Sequence, residues 1–231
     1  MQLNYNRIAG QSLERLAALS DGIFAIAMTL LVFDLRLTIN PYQAAQFNFL
    51  TTNPYPLWIR PDLQFQYERV FWDSIIAFAP HLLVYLMSFL TLGIFWLGQQ
   101  TQLSQFERSD RDLTWMHLIF LFGVSMLPFS TRLLAENMNF RSALIVYWLN
   151  LLLLGVMLYR SMRYAWNAQL VKATTTPDMS TATTRRIENY QILYAFGMLL
   201  CIVSINWSIV FIVLVQLNAA IAPRVRWLGG L

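Results

Sequence analysis

The sequence predicts an all-α membrane protein with six transmembrane helices per chain, and three observations carry that expectation. Of its 231 residues, 57% are hydrophobic and only 12% are charged, whereas an average soluble domain is about a quarter charged. Four long intervals, residues 74–106, 113–131, 142–159 and 189–223, contain no Asp, Glu, Lys or Arg. The basic residues, fifteen arginines and Lys172, are scattered around those intervals rather than clustered. A soluble fold of this size has too little interior for so many large apolar side chains, and the same composition excludes disorder. The net charge of +4 is that of membrane-flanking arginines, so no nucleic acid partner is expected.

A bilayer core of about 30 Å takes roughly 20 residues of helix. The first span has only twelve uncharged residues, Gly22 to Phe33, between Asp21 and Asp34. Such a short apolar core also suits a signal-like or re-entrant segment. A full helix over about 15–37 follows if protein shields both acids from lipid, because intramembrane charges face a bundle interior or a water path. The charge-free intervals then place helices at about 72–98, 112–134 and 141–168. The last interval holds 35 residues, enough for helices at about 187–203 and 206–222 with a hinge at Ser204, Asn206 and Ser208. One long tilted helix is the alternative there.

Residues 38–70 form the expected outer loop, where Pro41, Pro54, Pro56 and Pro61 forbid a continuous helix. Residues 171–184, rich in Thr and Ala, are expected to be a flexible cytoplasmic linker. Pro80 and Pro128 fall inside spans and should kink them. No soluble domain is expected, so residues 1–231 form one integral membrane domain. Six spans put both termini on one side. With that side cytoplasmic, eleven basic residues lie inside and five outside, in line with the positive-inside rule. The expected location is the inner (plasma) membrane, multi-pass. Glu14, Arg15 and Asp21 stand where a cleavable leader carries a basic region, so none is expected.

No enzymatic constellation is present. His81 and His117 fall on different expected helices without HExxH or a cysteine pair, and no GxSxG or phosphate-binding glycine loop occurs. Cys201 is the single cysteine, so no disulfide within the chain and no metal site are expected. His81, deep in the second span, needs a polar partner if buried.

The informative segment runs from Arg15 to Leu31. At about 3.6 residues per turn, Leu16, Leu19, Ser20, Ile23, Ala27, Leu30 and Asp34 share one broad face, with Ile26 at its edge. That face suits packing in a bundle. It equally suits a water-filled path pinched by Ile23 and Leu30, since hydrophobic constrictions gate by dewetting. Arg15 and Asp21 are six positions apart and cannot pair along the helix. Asp21 is expected to accept from His81, an indole N–H or an arginine of another segment, with Ser20 adding a hydrogen bond.

The segment RLAALSDGIFAIAMTLLVFDLRL resembles the first helix of the bacterial branch of the endolysosomal potassium channel family, transmembrane protein 175. Its signature is Arg, three variable residues, then Phe-Ser-Asp. FAPHLLVYLMSFLTLGIFWLGQQ and LTWMHLIFLFGVSMLPFSTRLLAE are similar to the family's second and third helices, so the resemblance covers about residues 7–140. It implies a homotetramer whose central pore is lined by the first helix of each subunit and conducts potassium ions without a carbonyl filter. No TVGYG segment is present here. Carried over, Arg15, Ser20 and Asp21 hold the pore helix; His81 joins that network as an expected partner for Asp21, on residue chemistry rather than resemblance. Ile23 and Leu30 form the constriction, with Ile26 and Ala27 nearby. Leu19 replaces the signature phenylalanine, and Gln99 and Gln100 stand where relatives often carry histidines.

The leading expectation is therefore a potassium-selective channel with a hydrophobic constriction, no cofactor, and potassium as the permeant species. The alternative is a proton- or cation-coupled secondary transporter using Asp21, Asp34 and His81. A third class is a non-conducting scaffold in which the first helix only packs.

Overall fold

The computed structural model describes residues 12–33, 35 and 61–221. Among them lie six α-helices: α1 Leu13–Phe33, α2 Pro61–Gln105, α3 Arg111–Glu136, α4 Arg141–Asn167, α5 Pro177–Leu199 and α6 Ile205–Ile221. A short 3-10 turn, Leu200–Ile202, joins the last two. Four segments are long and apolar enough to cross a membrane: α1, α3, α4 and the Glu68–Gln105 part of α2. The chain is a multi-pass membrane protein.

Two helix starts differ from the sequence expectation, for the same reason, and α2 also runs on to Gln105 rather than ending near 98. α2 starts at Pro61 rather than near 72, and its 45 residues rise about 67 Å, more than twice the bilayer core. Proline at a helix start has no hydrogen bond to lose, so the last proline of the expected outer loop opens the helix. The rest of that loop, and Asp34, lie outside the described residues. α5 likewise starts at Pro177, inside the stretch expected to be a linker. The Thr176 hydroxyl accepts from the Met179 amide, and Asp178 lies in the first turn, a favourable N-terminus. Charge at Asp178, Arg185, Arg186 and Glu188 bars this stretch from lipid, not from helix.

The short connector that remains is tied down. At its start, α4 ends in a Schellman turn: Leu170 N–H bonds Ala165 O at 2.9 Å and Gln169 N–H bonds Trp166 O at 3.2 Å. Gln169 takes the left-handed conformation (φ 56°) that glycine usually fills. Val171 then pairs in a single β-bridge with Phe106. Lys172 N–H bonds Gln105 O at 2.9 Å, and the buried Thr175 hydroxyl donates to the same carbonyl. The α2–α3 turn and the α4–α5 connector are thus stapled together.

Beyond α5 the chain breaks at residues 200–204 and folds back, so the alternative of one long tilted helix does not hold. Gly197 lets the hairpin close. A Cβ there would stand 2.8 Å from Ile212 and 3.1 Å from Phe211, and Ser208 Oγ donates to the Gly197 carbonyl. α2 and α3 both run as unbroken helices through Pro80 and Pro128, as membrane helices often do.

The helices α2 to α6 pack in sequence and close on themselves through an α6–α2 contact, while α1 lies outside, across α2 and α3. Leu16, Leu103, Phe106, Leu113, Met162, Ala165 and Leu170 form a small cluster at the end where α1 and α3 begin and α2 and α4 finish. Among the described residues this end carries Arg15, Arg108, Arg111, Arg160, Arg163, Lys172, Arg185 and Arg186; the other carries Arg69, Arg132 and Arg141. Mid-bundle, buried side chains join four helices. Thr131 Oγ1 donates to Ser88 Oγ at 2.7 Å, Thr91 Oγ1 meets the Tyr147 hydroxyl at 2.9 Å, and Gln216 Nε2 donates to Thr91 Oγ1 at 2.6 Å. Such bonds join helices where lipid offers no hydrophobic drive between them.

Candidate functional site: the first helix and its anchor

One side of α1 is built to be held. Leu16, Ser20, Phe24, Ala27 and Leu31 are buried at spacings of three and four, the period of one helix face. Phe24 packs on Phe120 with ring centroids 6.0 Å apart. At the N-terminal end the contacts become polar. The fully buried Ser20 hydroxyl accepts from Gln99 Nε2 at 2.8 Å. The same amide nitrogen comes within 3.5 Å of His117 Nδ1, so Gln99 stands between Ser20 and His117. On the adjacent, open side, Asp21 Oδ1 accepts from Trp96 Nε1 at 2.9 Å and from Gln100 Nε2 at 2.6 Å.

The anchor therefore consists of Ser20, Asp21, Trp96, Gln99 and Gln100, with His117 behind it. Of the three donor types expected for Asp21, the indole N–H is the one found. His81 is not part of the anchor. It lies fifteen residues before Trp96 on α2, about 22 Å of helix rise away, and stacks on Phe78 with centroids 6.0 Å apart. Arg15 is exposed, and its backbone N–H bonds Ser12 Oγ at 3.3 Å; the described contacts of Asp21 do not include it. Asp21 and His81 thus do not form the acid–imidazole pair that a coupled carrier would use.

The glutamines were the missed signal. Gln99, Gln102 and Gln105 recur every three residues in a charge-free run, and each amide binds another helix or its flank. Gln99 takes Ser20, Gln102 donates to Leu158 O at 2.8 Å, and Gln105 donates to Thr183 Oγ1 at 3.2 Å. Reading only formal charges hides such a stripe.

The opposite side of α1 is open and apolar. Leu19, Ile26 and Leu30 are 46%, 60% and 45% exposed, and Ile23 is half-buried. These four positions, spaced four, three and four apart, form one stripe along the helix. Ala27 does not belong to it. At 2% exposure it faces the interior of its own protomer, because one further step of about 100° along the helix turns it from the stripe into the packed core. The broad face expected from the sequence is thus two faces, one packed and one free.

Among known proteins, a family model described as endosomal/lysosomal potassium channel TMEM175 matches residues 15–128, which include α1 from Arg15 onward and the anchor. A potassium channel of Streptomyces collinus is 33% identical over 125 residues, 54% of this chain and 48% of that protein. One of Chamaesiphon minutus is 28% identical over 122 residues, 53% of this chain and 49% of that protein. In those alignments the chain spans about half the length of the curated relatives. The crystal structure of a lysosomal potassium-selective channel TMEM175 homolog from Chamaesiphon minutus superposes with a TM-score of 0.70 at 22% identity. That superposition covers 92% of this chain and 98% of that one, so the likeness of fold extends past the segment the sequence comparisons align. With the helix order, the Ser-Asp anchor on α1 and the matched segment in agreement, the chain belongs to the endosomal/lysosomal potassium channel TMEM175 family.

Proposed function

We propose that the protein is a potassium channel in which the α1 helices of four copies surround a central path. The observation that carries this reading is the division of α1 into an anchored face and an open apolar stripe. Phe24, Ala27 and Leu31 fasten the helix to its own protomer, and Leu19, Ile23, Ile26 and Leu30 are turned away from it. Four such stripes around one axis make rings of aliphatic side chains, which pass ions only when wetted and so act as both constriction and gate. Curated relatives named potassium channels, and the solved homolog titled potassium-selective, support potassium as the permeant ion.

In this reading Ile23 and Leu30 form the constriction and Ile26 lies between them. Ala27 supports the wall from behind, and Ser20 and Asp21 set the angle of the helix. Aliphatic rings cannot replace an ion's hydration shell, so selectivity for potassium over sodium rests on size and dehydration and is modest. The basic end of the bundle faces the cytoplasm, in the inner (plasma) membrane, with both chain ends on that side.

The test is the reversal potential of purified protein in liposomes under a potassium gradient. A shift toward the potassium equilibrium potential is expected. Ile23→Asn, which puts a hydrogen-bonding group in the ring, is expected to raise the current and lower the potassium preference. No gradient-dependent potential, or a slow saturable flux driven by pH, would overturn the reading.

A further inference from the structure

Away from α1, between α2, α4 and α5, lies a cavity of about 240 Å³. It exists because α5 packs on α4 and α6 while leaving α2 largely uncovered. Phe95, Leu158 and Tyr194 are buried in its wall, and the rim residues Leu97 and Gly98 are exposed. Both rim residues belong to a membrane-spanning part of α2, so the groove opens sideways toward lipid. Among the described residues, no carboxylate lines it.

Arg186 stands at the mouth, at the basic end of the molecule. Its guanidinium lies over the Tyr190 ring, 5.9 Å from the centroid, and this is its described partner. A contact with a ring face is not a hydrogen bond to an oxygen, and the exposed guanidinium carries the planar fork of N–H groups that suits a phosphate. Arg186, Tyr190 and Tyr194 follow one another at four-residue steps, so the groove passes from charge to apolar depth over about 12 Å of helix. A cationic, aromatic-lined mouth above an apolar slot is complementary to one kind of amphiphile.

We propose that this groove is a binding site for an anionic phospholipid of the leaflet at the basic end, its phosphate on Arg186 and an acyl chain alongside Phe95, Leu158 and Tyr194. Basic pockets between transmembrane helices on that side take such headgroups. The site is separate from the α1 stripe, since none of its lining residues belongs to it.

The experiment is native mass spectrometry of the purified full-length protein, stripped of lipid and titrated with phosphatidylglycerol or phosphatidylcholine. Wild type is expected to hold phosphatidylglycerol in preference, and Arg186→Gln to weaken that binding about tenfold. Arg185→Gln removes a neighbouring charge that does not line the groove, and is expected to bind like wild type. Gly98→Leu fills the slot instead. A Cβ at Gly98 meets nothing nearer than Leu158 at 3.9 Å, so the side chain starts into the open slot and is expected to displace the acyl chain. Elution volume and helicity identify any variant that has lost its fold. Equal binding of the two lipids, equal losses in Arg185→Gln and Arg186→Gln, or unchanged binding in Gly98→Leu would each overturn the proposal.

Discussion

Asp21 is the acceptor on which two side chains of α2 converge, and its geometry separates what its charge does from what its oxygen does. Both bonds reach Oδ1, one from the Trp96 indole and one from the Gln100 amide. An asparagine retains that oxygen, whereas an alanine removes it. Interhelical bonds of this kind contribute roughly 0.6–1.7 kcal/mol each in membrane proteins. Asp21→Ala is therefore expected to cost about 1–3 kcal/mol, and Asp21→Asn less than about 1 kcal/mol, measured by chemical unfolding in detergent. Equal destabilisation by the two would mean that the carboxylate charge, rather than the acceptor oxygen, holds α1.

At the scale of the helices, close approach decides stability, and glycines mark where it occurs. Gln191 of α5 lies directly across Gly155 of α4, where a Cβ would collide with its side-chain amide, and it donates to the Leu151 carbonyl at 3.2 Å. Gly155→Ala must expel Gln191 from that bond, at an expected cost of roughly 1–3 kcal/mol. Gly93→Ala is the control. Nothing lies within 4 Å of a Cβ there, so the gain in helix propensity, up to about 1 kcal/mol, should appear alone. Thermal melts of the two variants in one detergent check the difference in sign. The same scale shows what the sequence made legible. The cores of α3 and α4 were visible because a run without charges and of bilayer length has few other uses, whereas the twelve-residue run of α1 became a span only by letting protein shield its flanking acids. The hairpin of α5 and α6 was visible through Ser204, Asn206 and Ser208. The starts of α2 and α5 were not, because hydropathy reports where lipid is tolerated and both helices begin outside it, at prolines that read as breakers. The anchor was half legible. Ser20 and Asp21 stand out as polar residues in an apolar helix, but their partners Gln99 and Gln100 carry no formal charge, and nothing local tells which distant turn of α2 will lie beside them.

For the whole molecule the decisive matter is whether the open stripe of α1 meets water or lipid, since both leave an apolar side chain exposed in a single protomer. Thiol chemistry separates the two. The thiolate is the reactive form of cysteine, and a charged, water-borne thiol reagent reaches a side chain only where an aqueous path exists. The native Cys201 is buried, 4% exposed, and is expected to stay silent. Cysteine at Ile26 or Leu30 is then expected to react from solution and, once modified, to block potassium flux. Cysteine at Ala27, packed inside its own protomer, should not react. Neither should cysteine at Ile192, which is 66% exposed on α5, a helix packed on α4 and α6, where a six-span arrangement turns the exposed side toward lipid. Labelling intact proteoliposomes and reading the mass shift at each position gives the pattern directly. Reaction at Ile26 and Leu30 with silence at Ala27 and Ile192 is the signature of a stripe that faces a shared aqueous axis. Silence at all four positions would put the stripe against lipid, and the assembly around α1 would have to be abandoned even though every helix of the protomer stayed where it is.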